Sequence, residues 1–352
     1  MDKYFSNKIK LVSFLLIIMV VFLHSYNIDI KQGGKILNFE KNSNWIVQNF
    51  ISNGITRIAV PLFFLISGFL FVSKQTFNFE DYKIKINKRL KTLVIPYLFW
   101  SLLGLFLYLV LQSFPQSCSF FTNKLIKNYS IIEWINAIII RPIPYQLWFL
   151  KDLIVMVFIS PLIFFFTRKL KIIYLFIVAV FWFFNQDNII LTSEALLFFS
   201  IGIYIQLFYK ESVYNKSNSS VLLVLFWLFF ILLKTIAGYY DYSKIAEILL
   251  LKISILFGIV AFWKILDKQF VLNFSQGFIE KILSYSFFIY AFHEPYLTII
   301  KKALFAMLSK TPTNYLIVYF LSPIIIIFIS LFVAMILKNN ILAFYKIITG
   351  NR

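Results

Sequence analysis

Apolar runs long enough to cross a lipid bilayer recur along this chain from residue 9 to residue 337, with no soluble-length interval between them. A membrane-spanning helix needs about 20 mostly apolar residues, within a range of about 17–25. On that criterion the sequence predicts ten spans, at 9–27, 54–73, 93–114, 145–166, 170–186, 189–209, 220–239, 245–265, 281–300 and 314–337. The fifth is marginal in length, and "IIEWINAIII" at 131–140 is too short to cross and suits the interface. Composition agrees: 61% of residues are hydrophobic and 14% charged, against roughly 45–50% and about 25% in soluble domains. The fold class is all-α, a polytopic integral membrane helix bundle of about ten transmembrane helices, with residues 1–352 as a single transmembrane domain.

A net charge of +19 would ordinarily suggest a nucleic-acid partner. Here the lysines sit mostly in short loops between apolar runs, which is the positive-inside pattern, so no nucleic acid is implied. With the N-terminus in the cytoplasm, inner segments hold 20 of the 34 lysines and arginines and outer segments 11, a bias that puts both termini inside. Lys3, Lys8 and Lys10 before the first run resemble a signal peptide, but the bulky "HSYN" that follows is no cleavage site, so the run reads as an uncleaved first span. A lone cysteine, Cys118, leaves no intrachain disulfide.

The run "LIIMVVFLHSYN" ends on His24, one of only two histidines. An imidazole in lipid is costly and ordinarily faces a bundle interior or a water-filled cavity. At 1.5 Å per residue His24 lies about 21 Å above the inner face and His293, in the ninth span, about 18 Å above it. Lys151 and Asp152 lie about 10 Å below the outer face, and Arg57 and Glu194 fall near the outer ends of their spans. Five spans thus carry polar groups at similar outer depths, which predicts one membrane-embedded cluster. The bland alternative is separate snorkelling, open to Arg57 and Glu194 but hardly to the histidines. Along the first span Ser13 and Lys10 fall within about 40° of the face of His24. That face either lines a track from the cytoplasm, or holds an interfacial lysine and a serine bonded to its own backbone.

Four stretches together resemble the acyltransferase-3 family of bacterial membrane acyltransferases. They are "LIIMVVFLHSYN", "RIAVPLFFLISGFLF" from Arg57, "KRLKTLVIPYLFW" from Lys88 and "LWFLKDLIVMVFISPL" from Leu147; "SYSFFIYAFHEP", with His293, agrees with the family's late helices. The resemblance implies a protein of the bacterial cytoplasmic membrane that moves an acyl group, usually acetyl from acetyl-CoA, onto a hydroxyl of a cell-surface polysaccharide or lipid-linked glycan. It implies His24 as the essential catalytic residue. Where the family usually has an arginine about one helical face below, this chain has Ser13; Lys10, one turn lower, is a substitute without arginine's planar fork. Members with an extra extracytoplasmic hydrolase-like domain are not the expected match, because the sequence stops shortly after the tenth span.

Acyl transfer to a hydroxyl needs a base for the acceptor proton and donors for the developing oxyanion. The candidates are His24 as general base, Arg57 or Lys151 at the tetrahedral oxygen, and Asp152 or Glu194 to orient the acceptor or a basic partner. An acyl-histidine intermediate is the other chemical route. His293 is either part of this site or structural, and Glu294 and Pro295 beside it mark either a kink or a partner site. The loop 74–92 carries Lys74, Lys83, Lys85, Lys88, Arg89 and Lys91. Lys88 and Arg89 are the candidates for the CoA phosphates, with Lys10 and Ser13 on the same donor side, although the positive-inside rule alone also accounts for the loop. Trp148, three residues before Lys151, falls on a nearby face of the same span. No metal-ligand spacing and no Gly-rich phosphate loop appears. The competing class is a polysaccharide flippase or other transporter, which would show broken helices in corresponding halves; no such symmetry is visible.

Overall fold

The computed structural model describes residues 3–28, 31–32, 35–36, 41–72, 79–114, 121, 124–187, 190–214, 221–266, 271, 277–309 and 311–351. Lys74 and Cys118 lie outside the described residues. Almost every apolar run is a helix, because in lipid a helix satisfies its own backbone donors and acceptors. Among the described residues seven helices are long and apolar enough to cross a membrane: Lys3–Ser25, Ser43–Phe71, Tyr82–Ser113, Tyr145–Leu170, Val221–Tyr239, Lys244–Ile265 and Pro312–Asn340. The chain is a membrane helix bundle. The fifth and sixth expected spans are the shorter helices Ile172–Phe183 and Ser193–Phe208, about 18 Å and 24 Å long at 1.5 Å per residue. The ninth, Ser286–Met307, is interrupted at Glu294, whose backbone is extended (φ −109°, ψ 138°). The segment 131–140 is a short helix followed by a wide π turn, opened by a capping box between Ser130 and Glu133.

The described residues form two compact units. The first comprises 1–23, 49–88 and 152–286. It holds α1 (Lys3–Ser25) as far as Leu23, the end of α2 (Ser43–Ile51), α3 (Ala59–Phe71) and α4 (Phe79–Arg89) as far as Lys88. It then takes α7 (Trp148–Leu170) from Asp152, α8 (Ile172–Phe183), α9 (Ser193–Phe208), the short α10 (Lys210–Tyr214), α11 (Val221–Tyr239), α12 (Lys244–Ile265) and α13 (Gly277–Leu283). Small residues set its tightest crossing. A Cβ at Gly68 would lie 2.1 Å from Phe199 O and one at Gly202 2.1 Å from Leu65 O, so α3 and α9 touch backbone to backbone. Gly202→Ala should therefore force these helices apart at a cost of about 1–3 kcal/mol. A lower melting temperature in detergent checks this, and an unchanged one would show that the crossing relaxes freely.

The second unit comprises 24–48, 89–151 and 287–352. Its helices are α5 (Ile95–Ser113), α6 (Ile131–Ile135), α14 (Ser286–Met307) from Phe287, α15 (Pro312–Asn340) and α16 (Leu342–Thr349). The wide turn after α6 leaves carbonyls without helical donors, and α5 supplies them. Tyr97 Oη donates to Ile139 O at 2.6 Å and Ser101 Oγ to Ile138 O at 2.8 Å. Trp100 Nε1 donates to Ile348 O in α16 at 2.9 Å. The chain turns after α16 at Gly350, where φ is +67° and a Cβ would meet Thr92 O at 2.2 Å, so only glycine fits.

Candidate active site around His24

His24 and His293 meet in the second unit. His24 Nδ1 lies 2.9 Å from His293 Nε2, a hydrogen-bond distance for ring nitrogens. His24 is half-buried at the last turn of α1, whereas His293 is fully buried in α14. The Tyr145 ring packs against His24 with centroids 4.8 Å apart. Tyr145 is 48% exposed, so the two outer rings are reachable while the inner one is sealed.

The break in α14 builds the wall behind this pair. Pro295 has no N–H, so Ala291 O would lack its helical donor. Gln146 Nε2 donates to both Ala291 O at 3.2 Å and Glu294 O at 2.9 Å, while Tyr290 Oη donates to Gln146 O at 2.8 Å. Those two carbonyls fix the amide orientation of Gln146, because carbonyls only accept. Tyr145 Oη donates to the buried carboxyl of Glu294 at 3.1 Å.

The end of α1 is fastened just as closely. Its last carbonyls have no helical partner, and Lys301 Nζ donates to His24 O at 2.6 Å and Tyr26 O at 3.4 Å. Beyond it Asn27 is buried in an amide network. Its N–H donates to Gln48 Oε1 at 3.0 Å and its Nδ2 to Tyr315 O at 3.0 Å. Gln48 Nε2 in turn donates to Asn27 Oδ1 at 2.8 Å and Asn44 Oδ1 at 2.7 Å. A satisfied buried network of this kind allows one path for the chain that leaves α1 just after His24. Lys151, also in this unit, is half-buried in the first turn of α7, with Trp148 half-buried one turn before it.

The other outer-depth residues cluster in the first unit. Arg57 Nη2 donates to Asn53 Oδ1 at 2.9 Å, and its guanidinium is attracted by Glu194. Glu194 lies near the Trp182 indole and in the fields of Arg57, Asp187 and Lys252. The Lys252 ammonium donates to Trp182 O, to Phe183 O at 3.0 Å and to Asn185 Oδ1 at 2.8 Å. Buried Lys234 pairs with Glu247 at 3.4 Å. Asp152 is fully buried, and its Oδ2 accepts from Thr192 N at 3.0 Å and Thr192 Oγ1 at 2.8 Å. Asp187 Oδ1 accepts from Ser193 N and Oγ, both at 2.7 Å. Both carboxylates thus hold the start of α9, where helical N–H groups lack partners and anions are favoured. Asp152 has a scaffolding geometry here.

The donor-side candidates each have a local setting. Lys10 forms an exposed ion pair with Glu280 at 3.1 Å, the snorkelling geometry of an interfacial lysine. Ser13 is half-buried on α1, Lys88 is exposed and Arg89 half-buried where α4 runs into the π turn at Leu90–Val94. Lys85 Nζ donates to Phe71 O at 2.9 Å and so closes the end of α3.

Sequence reading alone passed over Tyr145, Gln146 and Lys301. Lys301 carried a faint signal, as a cation just past an apolar run. Gln146 carried none, because a glutamine at a span end is unremarkable until two carbonyls are known to need it.

The family of the acyltransferase domain matches residues 7–338. The succinoglycan biosynthesis protein ExoH of Rhizobium meliloti is 28% identical over 212 residues, 59% of this chain and 55% of that protein. The chain thus spans about half the length of that curated relative. No solved structure matches it. With nearly every span inside the match, the protein belongs to the acyltransferase-3 family of membrane acyltransferases.

Proposed function

We propose that the chain, as one transferase domain over residues 1–352, moves an acyl group from acyl-CoA to a hydroxyl of a cell-surface polysaccharide or its lipid-linked precursor. The acyl group is acetyl in this reading, and the protein is a multi-pass protein of the bacterial cytoplasmic membrane with both termini inside. The observation that carries the reading is the His24–His293 contact, an accessible imidazole backed by a buried one. The similarity to a succinoglycan biosynthesis protein supports the polysaccharide acceptor.

The acceptor oxygen attacks the thioester carbonyl while its proton passes to His24. The tetrahedral intermediate then collapses, the C–S bond breaks, and the CoA sulfur takes the proton back from His24. Lys151 is the cation of this unit assigned to the tetrahedral oxygen. Arg57 and Glu194 form the companion polar cluster of the first unit, and Lys88 and Arg89 face the CoA phosphates from the inner side, with Lys10 and Ser13 on the first helix.

Membranes containing the protein should transfer label from acetyl-CoA to a polysaccharide or lipid-linked fraction. No transfer, together with failure of glycan export in cells lacking the protein, would establish transport instead. Orientation has its own check. A cysteine at exposed Lys83, in a chain whose Cys118 is replaced by serine, should react only with reagents that enter the cytoplasm. Labelling by an impermeant reagent added outside would reverse the topology.

A further inference from the structure

We infer that His293 is a positioning residue that holds His24 in its Nδ1–H tautomer, making His24 Nε2 the atom that takes the acceptor's proton. This rests on the general-base reading above and assigns the atoms within it.

The protons can be placed from the acceptors alone. His293 Nδ1 lies 2.7 Å from Tyr290 O and 3.2 Å from Ile289 O. Carbonyl oxygens only accept, so His293 Nδ1 carries a hydrogen. A neutral imidazole has one such hydrogen, and His293 Nε2 is therefore a lone pair. That lone pair is 2.9 Å from His24 Nδ1. Two lone pairs at this distance would repel, so His24 Nδ1 is the donor and the His24 lone pair sits on Nε2. The chain of donors runs from His24 Nδ1 through His293 to the Tyr290 carbonyl.

Three contacts keep the outer ring in this pose. Tyr145 packs against it with the rings tilted by 52°, Lys301 holds its carbonyl, and His293 takes its Nδ1 hydrogen. When Nε2 accepts a proton, the resulting imidazolium keeps the same bond to His293 and nothing has to rotate. The lone pair of His293 faces the new charge, the role a buried hydrogen-bond acceptor plays behind a base in other base-and-orienter pairs.

Residues 1–352 hold only two histidines, so this chain labelled with ring-15N histidine in nanodiscs shows these two rings and no others. The expected spectrum has both rings protonated at Nδ1 and bare at Nε2, with a through-bond coupling between His24 Nδ1 and His293 Nε2. His293→Phe should release the tautomer of His24 and lower kcat for transfer from acetyl-CoA about 10–100-fold, the usual range for an orienting partner, with KM for acetyl-CoA unchanged. His293→Gln keeps an oxygen acceptor toward His24 and should recover most of that loss. A wild-type spectrum with His24 protonated at Nε2, or with His293 doubly protonated, overturns the assignment whatever the variants do. So does a His24 tautomer that is unchanged in His293→Phe. If instead the spectrum is as expected but His24→Ala still transfers label, the general-base reading fails and the proton assignment stands.

Discussion

His24→Ala is expected to lower acyl transfer by about 10²–10⁴-fold, the range a positioned general base supplies. The acceptor hydroxyl holds its proton tightly at neutral pH, and no other imidazole is as accessible: His293 is sealed inside the second unit. Transfer is measured as label moved from acetyl-CoA into the envelope glycan fraction by membranes carrying equal amounts of wild-type and variant protein. The loss should fall on kcat, since the proton moves only in the transition state. Insertion should survive. His24 is half-buried, and its removal deprives His293 Nε2 of one donor, a penalty of about 1–3 kcal/mol for a buried acceptor. A melting temperature measured beside the activity separates the two effects. Retained transfer in a folded variant would remove His24 from the chemistry.

The helix-bundle class was legible in the sequence, because the length and polarity of a run are dictated by the bilayer itself. Of the short helices 172–183 and 193–208, only the first was marginal in the sequence, and the start of the second is set by polar residues reaching back, Asp152 and Asp187. Depth counting along the spans put His24 and His293 at one level, and the structure brings those two rings together. It could not tell which outer-depth residues associate, because depth is one coordinate and angular position around each helix is another. Within the first unit Arg57 is drawn to Glu194, and within the second His24 meets His293. Gln146 and the Asn27–Gln48 network were invisible for a different reason. Their roles exist only once particular carbonyls lack donors, and that depends on where α14 breaks and where α1 ends.

Lys301→Met is the substitution expected to cost most in stability, about 3–5 kcal/mol, the penalty for removing one partner from a buried charged group. Methionine fills much the same space, so the loss isolates the ammonium. That ammonium donates to His24 O at 2.6 Å and Tyr26 O at 3.4 Å and is attracted by the buried Glu294. Without it the final carbonyls of α1 lose their donor, and the Glu294 carboxyl keeps only Tyr145 and Thr298 as hydrogen-bond partners among the described residues. Lys302→Met, one residue along and only half-buried, should shift the melting temperature little. Adding Glu294→Gln to Lys301→Met should restore part of the loss, because a neutral amide no longer needs a counter-charge; a double-mutant cycle reads that coupling. Because Lys301 also fixes the backbone that carries His24, transfer should fall even at temperatures where the variant is fully folded. If both lysine variants melt alike, or if folded Lys301→Met transfers at the wild-type rate, Lys301 does not secure the end of α1.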